Sequence, residues 1–192
     1  MVVIIATTLI WTGLFRALDA PKAHESIQLF LATNAFSDDL DVDLEVNLSE
    51  QGVKDVVINA VAPDSPYFFT MLSTIGILDC DLLLLPEVVL AGVEDITNFV
   101  PLEADYLVNF DIAMADYSRY MVGSVDYGIQ VYDATSETNL MNRYFSISGE
   151  ENYYLVVNAN TVNCAPYSKA TGTTSSRSFA ALSFLLNQAT IS

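Results

Sequence analysis

The chain is expected to fold as α/β: a mixed, mostly parallel sheet flanked by helices, with a small hairpin-rich second lobe. Three observations carry this expectation. The run DLLLLPE at 81 to 87 is continuously apolar behind an acid and stopped by a proline, as a strand covered on both faces would be. Strand-like and helix-like segments alternate from Ser26 to Phe99, which is the signature of strands joined by helical crossovers. The stretch DYSRYMVGSVDYGIQVYDA at 116 to 134 then breaks that rhythm, with two aromatic and β-branched runs around Gly123 and Ser124 that read as a hairpin.

Taken in order, residues 2 to 15, VVIIATTLIWTGLF, carry no charge and no proline. A helix needs about 20 apolar residues to cross a bilayer, so three readings stay open: an abbreviated signal anchor, a buried first strand and an interfacial helix. Residues 17 to 25, with Asp19, Pro21 and Lys22, read as a tether. SIQLFLA at 26 to 32 has the length and bounds of a strand, and Thr33, Asn34 and Ala35 form its turn. Residues 37 to 48 alternate acids with Leu and Val, which fits either a strand or an exposed helix; the helix is favoured from about Ser37, whose hydroxyl can cap it while Asp38 and Asp39 face the helix dipole favourably. Val42 and Val46 weaken that expectation.

After Gly52, VKDVVINAV at 53 to 61 has strand composition, and Pro63 with Pro66 ends it. Pro66 suits the first turn of a helix over 67 to 75, which Gly76 stops. Residues 88 to 99 read as a short helix and loop. Downstream of the hairpin, NYYLVVN at 152 to 158 is a further strand. Ser175 or Ser176 caps a last helix through Gln188, with Phe179, Leu182, Leu185 and Leu186 along one face.

Composition limits function as well as fold. The chain has 192 residues, 52% of them hydrophobic, enough for a core of ordinary domain size. Its net charge of -17 comes from 24 acids against 7 bases, and Lys54 is the one basic side chain between Asp38 and Asp116. A nucleic-acid partner is disfavoured, because phosphate binding needs clustered Lys and Arg. The acidity serves solubility or attracts cationic ligands. Cys80 and Cys164 form no CxxC or Cys/His cluster, so zinc lacks its ligands, and a disulfide and two separate buried thiols both remain open. Asp39, Asp41, Asp43 and Glu50 fall at calcium-loop positions 1, 3, 5 and 12, but Leu44 stands where such a loop needs glycine. No metal and no cofactor is expected. His24, the single histidine, lies in the tether, so no serine or cysteine triad is in prospect and the chain is not read as an enzyme.

In open α/β sheets, ligands sit beyond the carboxyl ends of the strands, where loops diverge. Applied here, that selects Thr33 and Asn34, then Asp64 and Ser65, then Glu87. Tyr127 from the hairpin and Asn158 from the returning strand would complete a ligand-binding cleft. Each of these residue types also serves commonly as a cap or turn. Glu87 is the sharpest candidate, since it follows a strand buried on both faces. Ten tyrosines, several between 117 and 154, can stack on a sugar or organic cation or fill a β-rich lobe.

SIQLFLATNAF at 26 to 36, DSPYFFTMLSTIGILDCDLLLLPE at 64 to 87, YGIQVYDA at 127 to 134, YYLVVNANTVN at 153 to 163 and SSRSFAALSFLL at 175 to 186 occur in an order that resembles the type II periplasmic (solute) binding proteins, in truncated form. Val157, Asn158 and Thr161 fit the strand end of that family. The resemblance implies an extracytoplasmic domain like the solute-binding proteins of ABC transporters, with a small-molecule solute, a membrane transporter and the membrane itself as partners. With it go a membrane anchor or signal segment and tether at 1 to 25, a first lobe at 26 to 99 and 151 to 192, and a second lobe at 100 to 150, short for the family. No lipobox cysteine is present near the start, so anchoring would fall to the apolar segment. The rival expectations are a ligand-free interaction or structural domain on the same fold and a small hydrolase.

Overall fold

The computed structural model describes residues 21–33, 35–147, 149–172 and 175–188. The three readings of residues 2 to 18 lie outside the described residues. Chain order is β1 (Ser26–Leu31), α1 (Leu40–Leu48), β2 (Asp55–Ala60), α2 (Phe68–Met71), a π turn (Leu72–Gly76), α3 (Ile77–Asp79), β3 (Leu82–Pro86) and α4 (Glu87–Ala91). There follow α5 (Ala104–Leu107), β4 (Arg119–Val122), β5 (Val125–Asp133), β6 (Thr138–Asn139), β7 (Tyr153–Val157) and α6 (Arg177–Gln188).

All seven strands join one sheet in the order β2-β1-β3-β7-β5-β4, with β6 on β5. Direction is where expectation and structure part. The β1–β2 and β1–β3 pairs are parallel, whereas β3–β7, β5–β7, β4–β5 and β5–β6 are antiparallel. The sheet is therefore mixed but not mostly parallel. The reason is β7, which returns from the far side of the sheet against β3, so every strand added beyond it pairs antiparallel. The segment expected as the second lobe contributes β4, β5 and β6 to this same sheet, and Val131, Tyr132, Met141, Tyr144 and Phe145 share one core with β1 and α1.

The central strand explains its own composition. Leu82 and Leu84 point into one core layer, Leu83 and Leu85 into the other, and all four are fully buried. A strand packed on both faces has no solvent-facing position to fill, hence the unbroken leucines. Each contributes about 2 kcal/mol of transfer free energy. β1 is divided likewise, with Ile27, Leu29 and Leu31 on the first face and Phe30 and Ala32 on the second.

Helices cover the two faces by the same arithmetic. α1 inserts Leu40, Leu44 and Leu48 into the first layer, a stripe at every fourth residue, and its two valines face solvent. α6 adds Phe179, Leu182, Leu185 and Leu186 beside it. The second layer receives Phe68 and Leu72 from α2 and the π turn, and Val89 and Leu90 from α4. Cys164 belongs to the first layer and Cys80 to the second, and both are free thiols, so the sheet itself separates the two sulfurs.

Candidate functional site

β1 lies between β2 and β3, and the chain leaves its carboxyl end toward α1 on the first face, whereas it leaves β3 toward α4 on the second. Segments that diverge in this way open a crevice at the carboxyl edge, the usual place for a ligand in such sheets. Thr33, Asp64, Ser65 and Glu87 all stand on that edge. Asn34 lies outside the described residues. Thr33 is buried and its Oγ1 accepts from the Ala35 amide at 3.1 Å, so it shapes the turn. Ser65 does the same for the Tyr67 amide at 3.3 Å, and Asp64 is exposed.

The mouth of β1 is covered by the chain's own later segment. Phe36 bridges Phe145, the Ser146 amide donates to the Ala35 carbonyl at 2.9 Å, and the Ser37 amide donates to the Tyr144 carbonyl at 2.8 Å. What stays open is the neighbouring part of the edge. There Glu87, the first residue of α4, accepts on Oε2 from Asn152 Nδ2 at 2.7 Å and from the Tyr154 hydroxyl at 3.4 Å. Asn152 Oδ1 in turn accepts from the Ala134 amide at 3.0 Å, tying the ends of β3, β7 and β5 together.

Ala134 lines an open hollow of about 580 Å³ together with Tyr132, Thr135, Glu137, Ile147, Gly149 and Glu150. Local turn chemistry builds its wall. Asp133 accepts from the Thr135 amide at 2.8 Å and the Ser136 hydroxyl at 2.9 Å, and those bonds hold its carboxyl below the usual range. Glu137 takes a left-handed φ of 54°, an uncommon conformation for a residue with a side chain. The Tyr132 hydroxyl donates to the Gly149 carbonyl at 3.2 Å.

The electrostatics of the edge are one-sided. Burial and the charge of Glu87 push the Tyr154 phenol up to about 12, and the same two causes raise Tyr120, whose ring meets that of Tyr154 edge-on at 5.4 Å. Two carboxylates, Glu137 and Glu150, line the hollow, no Lys or Arg lines it, and Glu87 stands behind Asn152. Such a lining complements a cationic or hydroxylated small molecule. His24 sits in the turn before β1, at the opposite edge. Among the described residues no group of three His, Cys, Asp or Glu is placed to hold a metal ion. The acidic run on α1 is partly engaged: Asp43 accepts from Arg143 at 2.6 Å and from the Tyr144 hydroxyl at 2.7 Å.

Two expected cleft residues stand elsewhere. Because β7 is antiparallel to β3, its carboxyl end lies beside the amino end of β3, and Asn158 follows that end. It is fully buried, its Nδ2 donates to the carbonyls of Ile77 at 2.9 Å and Cys80 at 2.7 Å, and its Oδ1 accepts from the Asn160 amide at 2.9 Å. It ties the end of α3 to the sheet. Tyr127 is near the start of β5, which pairs next to Val156 at Gly128 and so lies level with the start of β3. Asn152, Thr135, Glu137 and Glu150 were not anticipated, and Tyr132 and Tyr154 only as members of the tyrosine-rich stretch from 117 to 154. The signal that points to some of them is the polar turn DATSET after YGIQVY: a β5 that runs in the same direction as β3, across β7, ends its strand at the carboxyl edge.

A scan against protein-family models and searches among curated proteins and solved structures returned no match. No helix among the described residues is long and apolar enough to cross a membrane.

Proposed function

We propose that the chain is a non-catalytic, extracytoplasmic ligand-binding domain of the solute-binding type, capturing a small cationic or polyhydroxylated molecule at the carboxyl edge of its sheet. The observation that carries the reading is the placement of Glu87, at the end of a strand buried on both faces, joined through Asn152 to the wall of an acidic hollow. In this reading Asn152 and Tyr154 hold the carboxylate in place, Tyr132 supplies an aromatic wall, and Glu137 and Glu150 supply charge. In this reading the apolar residues 2 to 18 hold the domain to the membrane, and the resemblance to type II solute-binding proteins adds a transporter as partner. A thermal-shift panel of amino acids, sugars and polyamines tests it. A ligand that binds only the folded state must raise the melting temperature, and the same compound must lose its effect on Glu137→Gln/Glu150→Gln.

A second reading rests on the bridge between Phe36 and Phe145. It fills the mouth of β1 with the chain's own side chains, as a ligand-free interaction or structural domain would. On that reading no compound in the panel shifts the melt.

A further inference from the structure

Asn47, Leu48 and Ser49 read N-x-S, and no other asparagine of the chain has a serine or threonine two places on. This is the acceptor pattern for N-linked sugars, but three residues are a short motif and their setting has to decide. Asn47 and Ser49 are exposed at the end of α1, whereas Leu48 between them is 2% exposed in the first core layer. The core holds the motif by its middle residue and turns both polar residues outward.

The amide is free to be substituted. Asn47 Nδ2 donates to the Asp43 carbonyl at 2.7 Å, a bond that needs one of its two hydrogens, so a sugar carbon can replace the other. The Ser49 hydroxyl donates to the Val46 carbonyl at 2.8 Å, a local bond of the same turn. Neither side chain has a partner beyond α1 among the described residues. The helix itself has nine residues, fewer than the about 12–15 that an isolated helix needs to persist in water. Before α1 packs, the motif is therefore free to bend into a transferase.

The folded molecule also has room for the sugar. Asn47 and Gln51, Asn109 and Phe110, and Ser183 and Phe184 of α6 line a hollow of about 300 Å³. Packing holds both of its rings, Phe110 stacked on Phe179 at 5.4 Å and Phe184 against Tyr144 at 6.2 Å. Aromatic walls with amides and a hydroxyl between them suit a pyranose, whose faces are apolar and whose edge carries hydroxyls. The end of α1 leads into β2, whose first residue pairs with Ser26 at the amino edge of the sheet. A glycan there leaves the carboxyl edge open.

We propose that Asn47 is the acceptor of an N-linked glycan, with its first sugar lying in the hollow between α1 and α6. The inference rests on the extracytoplasmic placement proposed above, since transfer takes place on the outer side of the membrane. The donor is an oligosaccharide linked to a lipid pyrophosphate. Sugar C1 forms a bond to Asn47 Nδ2 as its bond to the pyrophosphate oxygen breaks; the lipid pyrophosphate leaves with the electron pair, and the displaced amide proton passes to a base of the transferase.

The test translates the full chain in a cell-free system with microsomal vesicles, digests what lies outside them with protease, and reads the protected product by gel mobility. The expected product is heavier by one glycan, and peptide N-glycosidase reverses the shift. Asn47→Gln and Ser49→Ala should abolish it, and Ser49→Thr should keep it. Ser49→Ala removes one exposed hydroxyl and leaves the asparagine in place, so loss of the shift there reports the motif and not the fold. A protected chain without the shift, or a shift that survives Ser49→Ala, overturns the proposal and leaves the placement standing. A chain that the protease digests completely overturns both. For the seat, the glycoprotein trimmed to one sugar should give nuclear Overhauser contacts between that sugar and the ring of Phe110 or Phe184. A sugar without such contacts lies in solvent and overturns the position assigned to it.

Discussion

Replacing Asn158 by alanine separates a structural residue from a ligand contact. The side chain donates to the carbonyls of Ile77 and Cys80 and accepts from the Asn160 amide, in a place without access to water. Truncation strands the Cys80 carbonyl and the Asn160 amide, while the Ile77 carbonyl keeps the Asn160 side-chain amide at 3.1 Å. A net hydrogen bond is worth about 1 kcal/mol, and a buried group left unpaired costs about 1–3 kcal/mol, so the expected loss is about 3–4 kcal/mol after partial relaxation. With an m-value of about 2–3 kcal/mol/M for a chain of this size, the urea midpoint should fall by about 1–2 M. Equilibrium unfolding followed by tyrosine fluorescence and by circular dichroism reads the shift and checks that the two probes coincide. A loss under about 1 kcal/mol would refute the reasoning, and a weakened ligand with unchanged stability would restore Asn158 to the cleft.

Two further perturbations probe the sheet. At Gly128 a methyl group would meet Val156 Cγ1 at 3.1 Å and the Cβ atoms of Tyr120 and Tyr154 at 3.3 Å, so Gly128→Ala should cost about 1–2 kcal/mol and lower the melting temperature by about 3–6 °C. An unchanged melt would mean that β4, β5 and β7 are not packed as described. Cys80 and Cys164 are both buried, on opposite faces, with thiols pushed up by burial. Both should react slowly with a thiol reagent in the native state and rapidly in urea without reductant; a chain with no titratable thiol in urea would mean that they are bonded.

Much of the element order was legible because it rests on periodicity. Four leucines before Pro86 require cover on both faces, and Phe179, Leu182, Leu185 and Leu186 fall on one face of any helix that contains them. Ser37 does not cap α1 as expected: its Oγ accepts from the Asp39 amide at 3.2 Å in the turn before the helix, and Asp39 stands at the N-cap without a side-chain capping bond. Strand direction was not legible. NYYLVVN has the same alternation read either way, and only its partner, β3, decides which end reaches the carboxyl edge. Asn158 and Tyr127 were assigned to the wrong edge for that one reason. The hydrogen bonds of Asn152 to Glu87 and Ala134 were hidden for a related one, since they join residues whose nearness depends on β7 lying between β3 and β5.

The acid-rich α1 shows the complementary case. Its valines conceal a leucine at every fourth position, and its carboxylates are divided among solvent, Arg143 and the Val56 amide, from which Glu45 accepts at 3.3 Å. Net charge alone does not distinguish those from carboxylates that face a hollow.

The central claim is that a small molecule binds at the carboxyl edge beside Glu87. Its most direct test is an amide-resolved NMR titration of the isotope-labelled protein with spermidine and with a neutral disaccharide. Saturable shifts at Glu87, residues 132–137 and residues 149–152, with the amides of 158–163 unmoved, are the predicted result. Shifts centred on 158–163, or none with either compound at millimolar concentration, would contradict it.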